Sequence, residues 1–380
     1  MFSVNTMKQR LQNRDNGSQY RTIWQCIHID IPLLFALLLL MSLGLIILYS
    51  TSSNDLNVVE QQALHIGLAL GVMFIFAQIP PTTYQRWAAI IYIIGIVLLC
   101  AVLIMGHTGK GAQRWLSLGV MHLQPSEIMK LAIPMVLAWH YHKIHLPLHL
   151  RTVFFSAILI LIPTLLTAKQ PDLSTAIILV ISGVTTLFLA GLSWWIISSI
   201  LGLVGVGAPI FWFFLHDYQR QRVITFLNPE RDPLGSGYHI IQSKIAIGSG
   251  GLFGKGWLNG TQSHLHFLPE HSTDFIFAAC GEEFGLIGSI ILIVLFMAIV
   301  MRGLFITINA QDTFTRLLAG SLTITFFVSF FINMGMVTGV LPVMGIPLPL
   351  ISYGGSSMVT LMASFGILMS IQTHRKLLTT

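Results

Sequence analysis

Apolar stretches of about 20 residues recur along this chain, long enough to cross a hydrocarbon core of roughly 30 Å at 1.5 Å per residue. The pattern predicts ten spans, near 31–50, 63–79, 87–105, 126–141, 152–168, 173–190, 194–215, 274–301, 317–340 and 350–371. The expected fold class is therefore an all-α polytopic membrane protein of about ten transmembrane helices. A large extracytoplasmic loop, residues 216–273, separates the seventh span from the eighth. No period of 20–50 residues repeats and no linker divides the chain. It reads as one transmembrane domain, 31–372, with a cytoplasmic N-terminal tail, 1–30, and a cytoplasmic C-terminal tail, 373–380.

Composition agrees. Only 9% of the residues are charged, 54% are hydrophobic and the mean hydropathy is +0.78, too little charge for a soluble surface on 380 residues. The pI near 9.3 does not imply nucleic-acid binding, because no soluble basic domain is present. Cys26, Cys100 and Cys280 offer neither a disulfide framework nor a CxxC metal site. The first apolar run, Ile31–Ser50, is too long for a signal-peptide core and lacks a small-residue cleavage site, so it reads as a retained anchor.

Charge sets the expected orientation. An even number of spans puts both termini on one side, and Lys8, Arg10, Arg14, Arg21, Arg375 and Lys376 make that side cytoplasmic. Eleven of the twenty Lys and Arg residues then fall in cytoplasmic segments and eight outside, with Lys130 inside the fourth span. The outer eight concentrate in three loops, around 106–125, 167–172 and 216–273. Long loops translocate despite their charge; alternatively, the three basic loops face a common anion.

The long loop carries Arg220, Arg222, Arg231, Lys244 and Lys255 and runs directly into Thr273-Asp274-Phe275-Ile276-Phe277. Loops beyond about 15 residues are uncommon unless functional or disordered. A cationic loop above an acidic side chain at a membrane surface suits an anionic, lipid-borne substrate. Thr273-Asp274 also reads as a helix N-cap, and a capping position is a rigid one at a water-facing rim. Glu282 lies about 80° from Asp274 around an ideal helix and Glu283 on the opposite face. Glu282 is thus the expected neighbour of a shared polar cavity, and Glu283 a packing residue.

Other segments admit two readings each. Glu127 and Lys130 share a helix face; they steady each other as an ion pair, or Lys130 or Arg114 faces phosphate while Glu127 holds it. Asp172, after Gln170-Pro171, reads as a helix start. The glycine-dense stretch Gln242–Gly251 lets backbone N–H groups approach an anion but carries no nucleotide fingerprint. Ser356, in Ile351-Ser352-Tyr353-Gly354-Gly355-Ser356-Ser357, belongs to a close-packing or a substrate-contacting stretch. His140, His142, His145 and His149 cluster on the cytoplasmic side and His264, His266 and His271 outside, without matching carboxylates for a metal site.

Together these segments resemble the SEDS family (shape, elongation, division and sporulation), the polytopic glycosyltransferases that polymerise bacterial peptidoglycan. The matching pieces are Gly111-Ala112-Gln113-Arg114-Trp115, Gln124-Pro125-Ser126-Glu127, Gln170-Pro171-Asp172-Leu173, the Gln242–Gly256 stretch, Thr273-Asp274-Phe275-Ile276-Phe277, Glu282-Glu283-Phe284-Gly285 and Pro349-Leu350 through Ser357, in the family's order. Asn259–Ser263 and Phe267–Glu270 are closer to the elongation branch than to the division branch. One departure is Ser174, where the family commonly has glycine.

The resemblance implies transfer of the disaccharide-pentapeptide of lipid II, with inversion, onto the 4-hydroxyl of a growing lipid-linked glycan strand, releasing undecaprenyl diphosphate. It makes Asp274 the catalytic carboxylate, a general base. Arg114, Lys130, Arg220, Arg222 and Lys244 are the candidates for holding the departing diphosphate. Glu127, Asp172, Glu282 and Ser356 complete the substrate-binding set. It also implies a class B penicillin-binding protein as transpeptidase partner and the bacterial cytoplasmic (inner) membrane as location. No organic cofactor is expected, and a divalent cation, Mg or Mn, stays open. Two rivals remain from the residues alone. One is a flippase of the lipid-linked precursor, depending on intramembrane charges such as Glu282 and Lys130. The other is a scaffold, which tolerates loss of Asp274.

Overall fold

The computed structural model describes residues 27–374 apart from 53–54, 110–111, 118–121, 144–149, 193–194, 197, 200–201, 203–204, 206, 208–211, 214–216, 232–235 and 265–271. Residues 1–26 and 375–380 of the tails, Lys110, His145, His149, His266, His271 and the Phe267–Glu270 stretch lie outside the described residues, as does much of the expected seventh span, 194–215.

The other nine expected spans are helices, most of them starting at a residue suited to the task. Asp30 caps α1 (Ile31–Thr51) by accepting the Leu33 N–H at 3.0 Å. Pro81 and Pro125 open α3 (Pro81–Met105) and α4 (Pro125–Tyr141), where the missing N–H costs nothing. Between those helices lies a small antiparallel sheet, β1 (His107–Gly109), β2 (Ala112–Ser117) and β3 (His122–Leu123). α2 (Leu56–Gln78) begins seven residues before the expected span, because Glu60, Gln61 and Gln62 lower the hydropathy of its first two turns. α5 (Leu150–Lys169) and α6 (Leu173–Leu189) follow. α4 is buried along nearly its whole length, packed among α3, α6 and α11 (Thr313–Val337). Seven of the described helices are long and apolar enough to cross a membrane, and α6 is a shorter apolar helix.

α1 runs antiparallel to α10 (Ile276–Ile308). Ser50 near the end of α1 donates to Glu283 at 2.5 Å, and Arg302 near the far end of α10 grips Asp30 at 3.0 and 2.6 Å. At that far end the His28 and His374 rings stack at 3.7 Å, so the start of α1 and the end of α12 (Ser356–Thr373) lie together, opposite Asp274. Phe296, Phe326, Phe330 and Phe365 fill the core between α10, α11 and α12.

The stretch 216–273, expected as an open polar loop, is largely folded. It holds α7 (Asp217–Leu227), a 3-10 turn (Pro229–Arg231), α8 (Ser236–Gly250) and α9 (Thr261–His264). α8 runs beside the first half of α10 in the same direction: His239 stacks on Phe275 at 5.7 Å, and Gly250 abuts the Gly281 carbonyl. α10 is broken at Gly285, whose φ of 65° suits glycine alone. The turn after α8 fills the break: Lys255 and Gly256 donate to the Glu282 and Glu283 carbonyls at 3.0 Å each, and Leu286 and Ile287 donate back to Gly251 and Leu252 at 3.0 and 3.2 Å. A helix break inside a bilayer survives only where protein satisfies the freed backbone groups. Any side chain at Gly254 would collide with the Glu283 carbonyl. Close backbone packing therefore explains Gly250 and Gly254, and a positive φ explains Gly251, whereas a Cβ at Gly248 would meet nothing within 4 Å. Leu252 and Phe253 at the turn are 61% and 80% exposed, and the Trp257 indole donates to the Ile46 carbonyl of α1 at 3.3 Å. The chain thus runs down the first third of α10 and turns back at an apolar tip level with the last turns of α1, a re-entrant course.

Past α11 the chain is apolar but not helical. Pro342, Pro347 and Pro349 interrupt it, Gly345 and Leu350 have positive φ, and the last helix starts at Ser356 rather than near 350.

Candidate functional site

Asp274 lies in the turn Ser272–Phe275 that leads into α10. Phe275 is the residue preceding the helix and makes no side-chain cap, so the capping position falls one residue after Asp274. Three successive carbonyls of this turn are pinned from the opposite wall. Tyr353 N–H donates to Ser272 O at 3.0 Å, Ser352 Oγ to Thr273 O at 2.5 Å, and Asn333 Nδ2 to Asp274 O at 2.9 Å. The carboxylate looks toward Gly345: a methyl placed there would sit 3.5 Å from Oδ2. Asp274 is partly exposed, which leaves it open to a substrate.

The segment 338–349 is where the expected site residues converge. Ser174 Oγ and Arg222 Nη1 both donate to the Met344 carbonyl, the latter at 3.3 Å. Lys244 lies against Gly339, just past the C-terminal end of α11, where a cation meets the negative end of the helix dipole. Two residues before Ser174, Asp172 caps α6 through Thr175 N at 3.2 Å and also accepts Thr175 Oγ1 at 2.9 Å and Gln124 Nε2 at 3.1 Å. Arg114 stands 3.7 Å from Asp172 and donates to the Pro171 carbonyl at 2.9 Å. Asp172 is thus both a cap and the anchor of an arginine. Glu127 and Lys130, 2.5 Å apart, follow in the first turns of α4, which opens after Gln124. So Arg222 and Lys244 reach the segment that faces Asp274, and the Arg114–Asp172 pair is joined to it through Ser174, two residues on from Asp172.

Three expected residues stand elsewhere. Arg220 is turned back to the Trp212 and Phe213 carbonyls at 3.0 and 2.7 Å. Ser356 opens α12, three residues after Tyr353, whose hydroxyl meets Gln61 at 2.7 Å while Gln62 holds Ser352 O and Gly354 N. Glu282 is fully buried and occupied: Lys255 Nζ at 2.7 Å, Thr261 Oγ1 and N at 2.9 Å each, and Gln262 N at 3.1 Å all reach it. It anchors the re-entrant segment instead of facing a shared cavity. Asp274 lies in the turn before α10 rather than on the helix, so an angular argument on an ideal helix does not relate it to Glu282.

Asn333, Gly345 and Ser352 were not singled out as individual site residues. Asn333 had a signal, a lone amide inside an apolar run. Gly345 had only the surrounding prolines.

These features define a polytopic α-helical membrane protein with a carboxylate held at one end of its bundle, facing a proline-broken segment that Arg222 and Lys244 also reach. The family model for FtsW, RodA and SpoVE, described as cell cycle protein, matches residues 28–377, and the chain belongs to that family. It is 53% identical over 365 residues to the peptidoglycan glycosyltransferase MrdB of Escherichia coli K12, covering 96% of this chain and 98% of that one. It is 34% identical to stage V sporulation protein E of Bacillus subtilis 168, covering 91% of this chain and 98% of that one. A chain from a solved structure described as structural coordination of polymerization and crosslinking by a peptidoglycan synthase complex matches at a TM-score of 0.79 and 30% identity, over 90% of this chain and 97% of that one. The rod shape determining protein RodA of Thermus thermophilus matches in fold, with a TM-score of 0.70 at 24% identity over 91% of this chain and 98% of that one.

Proposed function

We infer that this chain is a peptidoglycan glycosyltransferase. Near-full-length identity to MrdB supports the activity; the observation that carries the mechanism is the Asp274 carboxylate, held by its own pinned backbone to face Gly345, in a segment that Arg222 reaches at Met344 and Lys244 at Gly339. The substrate is lipid II. The acceptor's 4-hydroxyl attacks the anomeric carbon of the donor sugar from the face opposite the diphosphate. Asp274 takes the hydroxyl proton as the new C–O bond forms, and the bond to the diphosphate breaks with inversion. Undecaprenyl diphosphate leaves with the electron pair, its charge met by the arginines and lysine around residues 338–349.

Among the described residues no three His, Cys, Asp or Glu side chains gather at metal-holding distance.

The protein sits in the bacterial cytoplasmic membrane with the Asp274 end outward. The placement of Asp30 and His374 together at the other end supports both termini being cytoplasmic. Its partner is a class B penicillin-binding protein that cross-links the strands, a reading supported by the likeness to a chain of a peptidoglycan synthase complex.

The test is glycan-chain formation from lipid II by the purified protein with its partner, the partner's transpeptidase inactivated so that chains can be sized on a gel. Wild type should give long chains and a folded Asp274→Asn none. Chains at wild-type levels from that variant would remove Asp274 from the chemistry. None from a folded wild-type complex would favour lipid translocation, read next in a flipping assay.

A further inference from the structure

Asn333 occupies an unusual place in this architecture. It lies one turn from the end of α11 with no exposed surface. Its amide nitrogen has two N–H groups, and both are used: one reaches the carbonyl of Asp274 at 2.9 Å, the other the carbonyl of Ile346 at 2.7 Å. Both partners only accept, so the NH2 must face them, and the orientation of the amide is forced by chemistry. The oxygen then points the other way, into a buried position where it has no hydrogen-bond partner among the described residues. A buried unsatisfied acceptor is unfavourable and calls for an explanation.

The two carbonyls supply it. One belongs to Asp274 itself. The other belongs to the neighbour of Gly345, the residue the carboxylate faces. Ser352 and Tyr353 tie the Asp274 turn to the segment that follows 338–349. Asn333 is different, because it fastens both walls of the site to a packed helix of the bundle. Loss of a single N–H frees one wall to shift against the other. Leucine fills nearly the same volume but has no donor.

We propose that Asn333 is the positioning residue for Asp274, setting the gap between its carboxylate and the Gly345 wall, where the attacking hydroxyl must be held. The inference rests on Asp274 being the base. Reacting groups displaced by about 1 Å lose roughly 100-fold in rate, so removal of the clamp should appear in turnover rather than in substrate binding.

The test uses the same polymerisation assay on the full chain with its partner, run over a lipid II series, on wild type, Asn333→Leu, Asn333→Asp, Asp274→Asn and Ser321→Ala. Ser321 is an equally buried residue of α11, bonded to Thr186 and to the Ser182 carbonyl, and serves as the control for lost buried polar contacts. Both Asn333 variants should lose at least tenfold in kcat with KM within about twofold. Ser321→Ala should keep kcat within twofold even where its Tm falls as far. Turnover within twofold of wild type in either folded Asn333 variant overturns the proposal. So does a loss confined to KM, a loss that merely tracks Tm as in Ser321→Ala, or failure of both variants to fold, which would make Asn333 a folding residue. If Asp274→Asn is inactive while the Asn333 variants are active, only this inference falls. If Asp274→Asn is active, both fall.

Discussion

Gly345 carries a φ of 72°, in the region that L side chains enter at a cost of about 1–2 kcal/mol. Its missing Cβ would lie at ordinary contact distance, 3.5 Å, from Asp274 Oδ2. Gly345→Ala should therefore lower Tm modestly, through the backbone, and lower polymerisation by more than that change in stability accounts for, because the new methyl stands in front of the carboxylate. Parallel melting curves and chain synthesis would separate the two effects; a loss of activity no greater than that of an equally destabilised variant elsewhere would refute it. Asp274 was legible in the sequence because an acid at a loop-to-helix junction beside basic residues is itself the signal. Asn333 was not. Its partners are backbone carbonyls 59 and 13 residues away, and a carbonyl looks the same under every side chain.

Hydropathy reads helices well when they are long and lipid-facing, which is why nine spans could be placed from the sequence. It fails at the two elements that build the site. α8 is only 15 residues long and carries Gln242, Ser243 and Lys244, too short and too polar to register as membrane-associated. The segment 338–349 is apolar enough to blur the ends of the spans on either side, which were expected at 340 and 350 and fall at Val337 and Ser356. The joint between α8 and α10 depends on Glu282, which takes bonds from Lys255, Thr261 and the Gln262 amide. Hydrogen bonds to a buried charge are worth about 1.5–3 kcal/mol each against neutral replacement, and less where Lys255 keeps some exposure. Glu282→Ala should thus loosen the re-entrant segment locally. Hydrogen exchange at the Thr261 and Gln262 amides should accelerate while the Phe296–Phe326–Phe330 core stays protected. Unchanged exchange at those amides would mean that backbone pairing at the helix break holds the segment alone.

For the whole molecule, the pairing of Ser50 with Glu283 and of Asp30 with Arg302 fixes α1 antiparallel to α10 and puts the two ends of the described chain at one pole. A cysteine at exposed Gln311 should react with a membrane-impermeant thiol reagent only after the inner face is opened, and one at exposed Asn57 from intact spheroplasts, each scored against the unsubstituted chain. The reverse pattern would invert the orientation and place Asp274 on the cytoplasmic side. Charge counting alone leaned the same way only narrowly, because that orientation puts eight of the basic residues outside, among them Arg222 and Lys244 at the segment 338–349 and Lys255 on Glu282.

The filled break in α10 also dictates an order of synthesis. Residues 251–256 leave the ribosome before Gly285 and its neighbours, so the plug is made before its socket. Until residues 282–287 arrive, the glycine turn has nowhere to place its backbone N–H and carbonyl groups except water. The outer segment must therefore wait at the aqueous surface and enter the bundle only after α10 has been inserted. The stub of α10 that follows Asp274 takes its final place in that same late event. A nascent chain arrested before Gly285 would hold every earlier span and still lack the closure that assembles the carboxylate site.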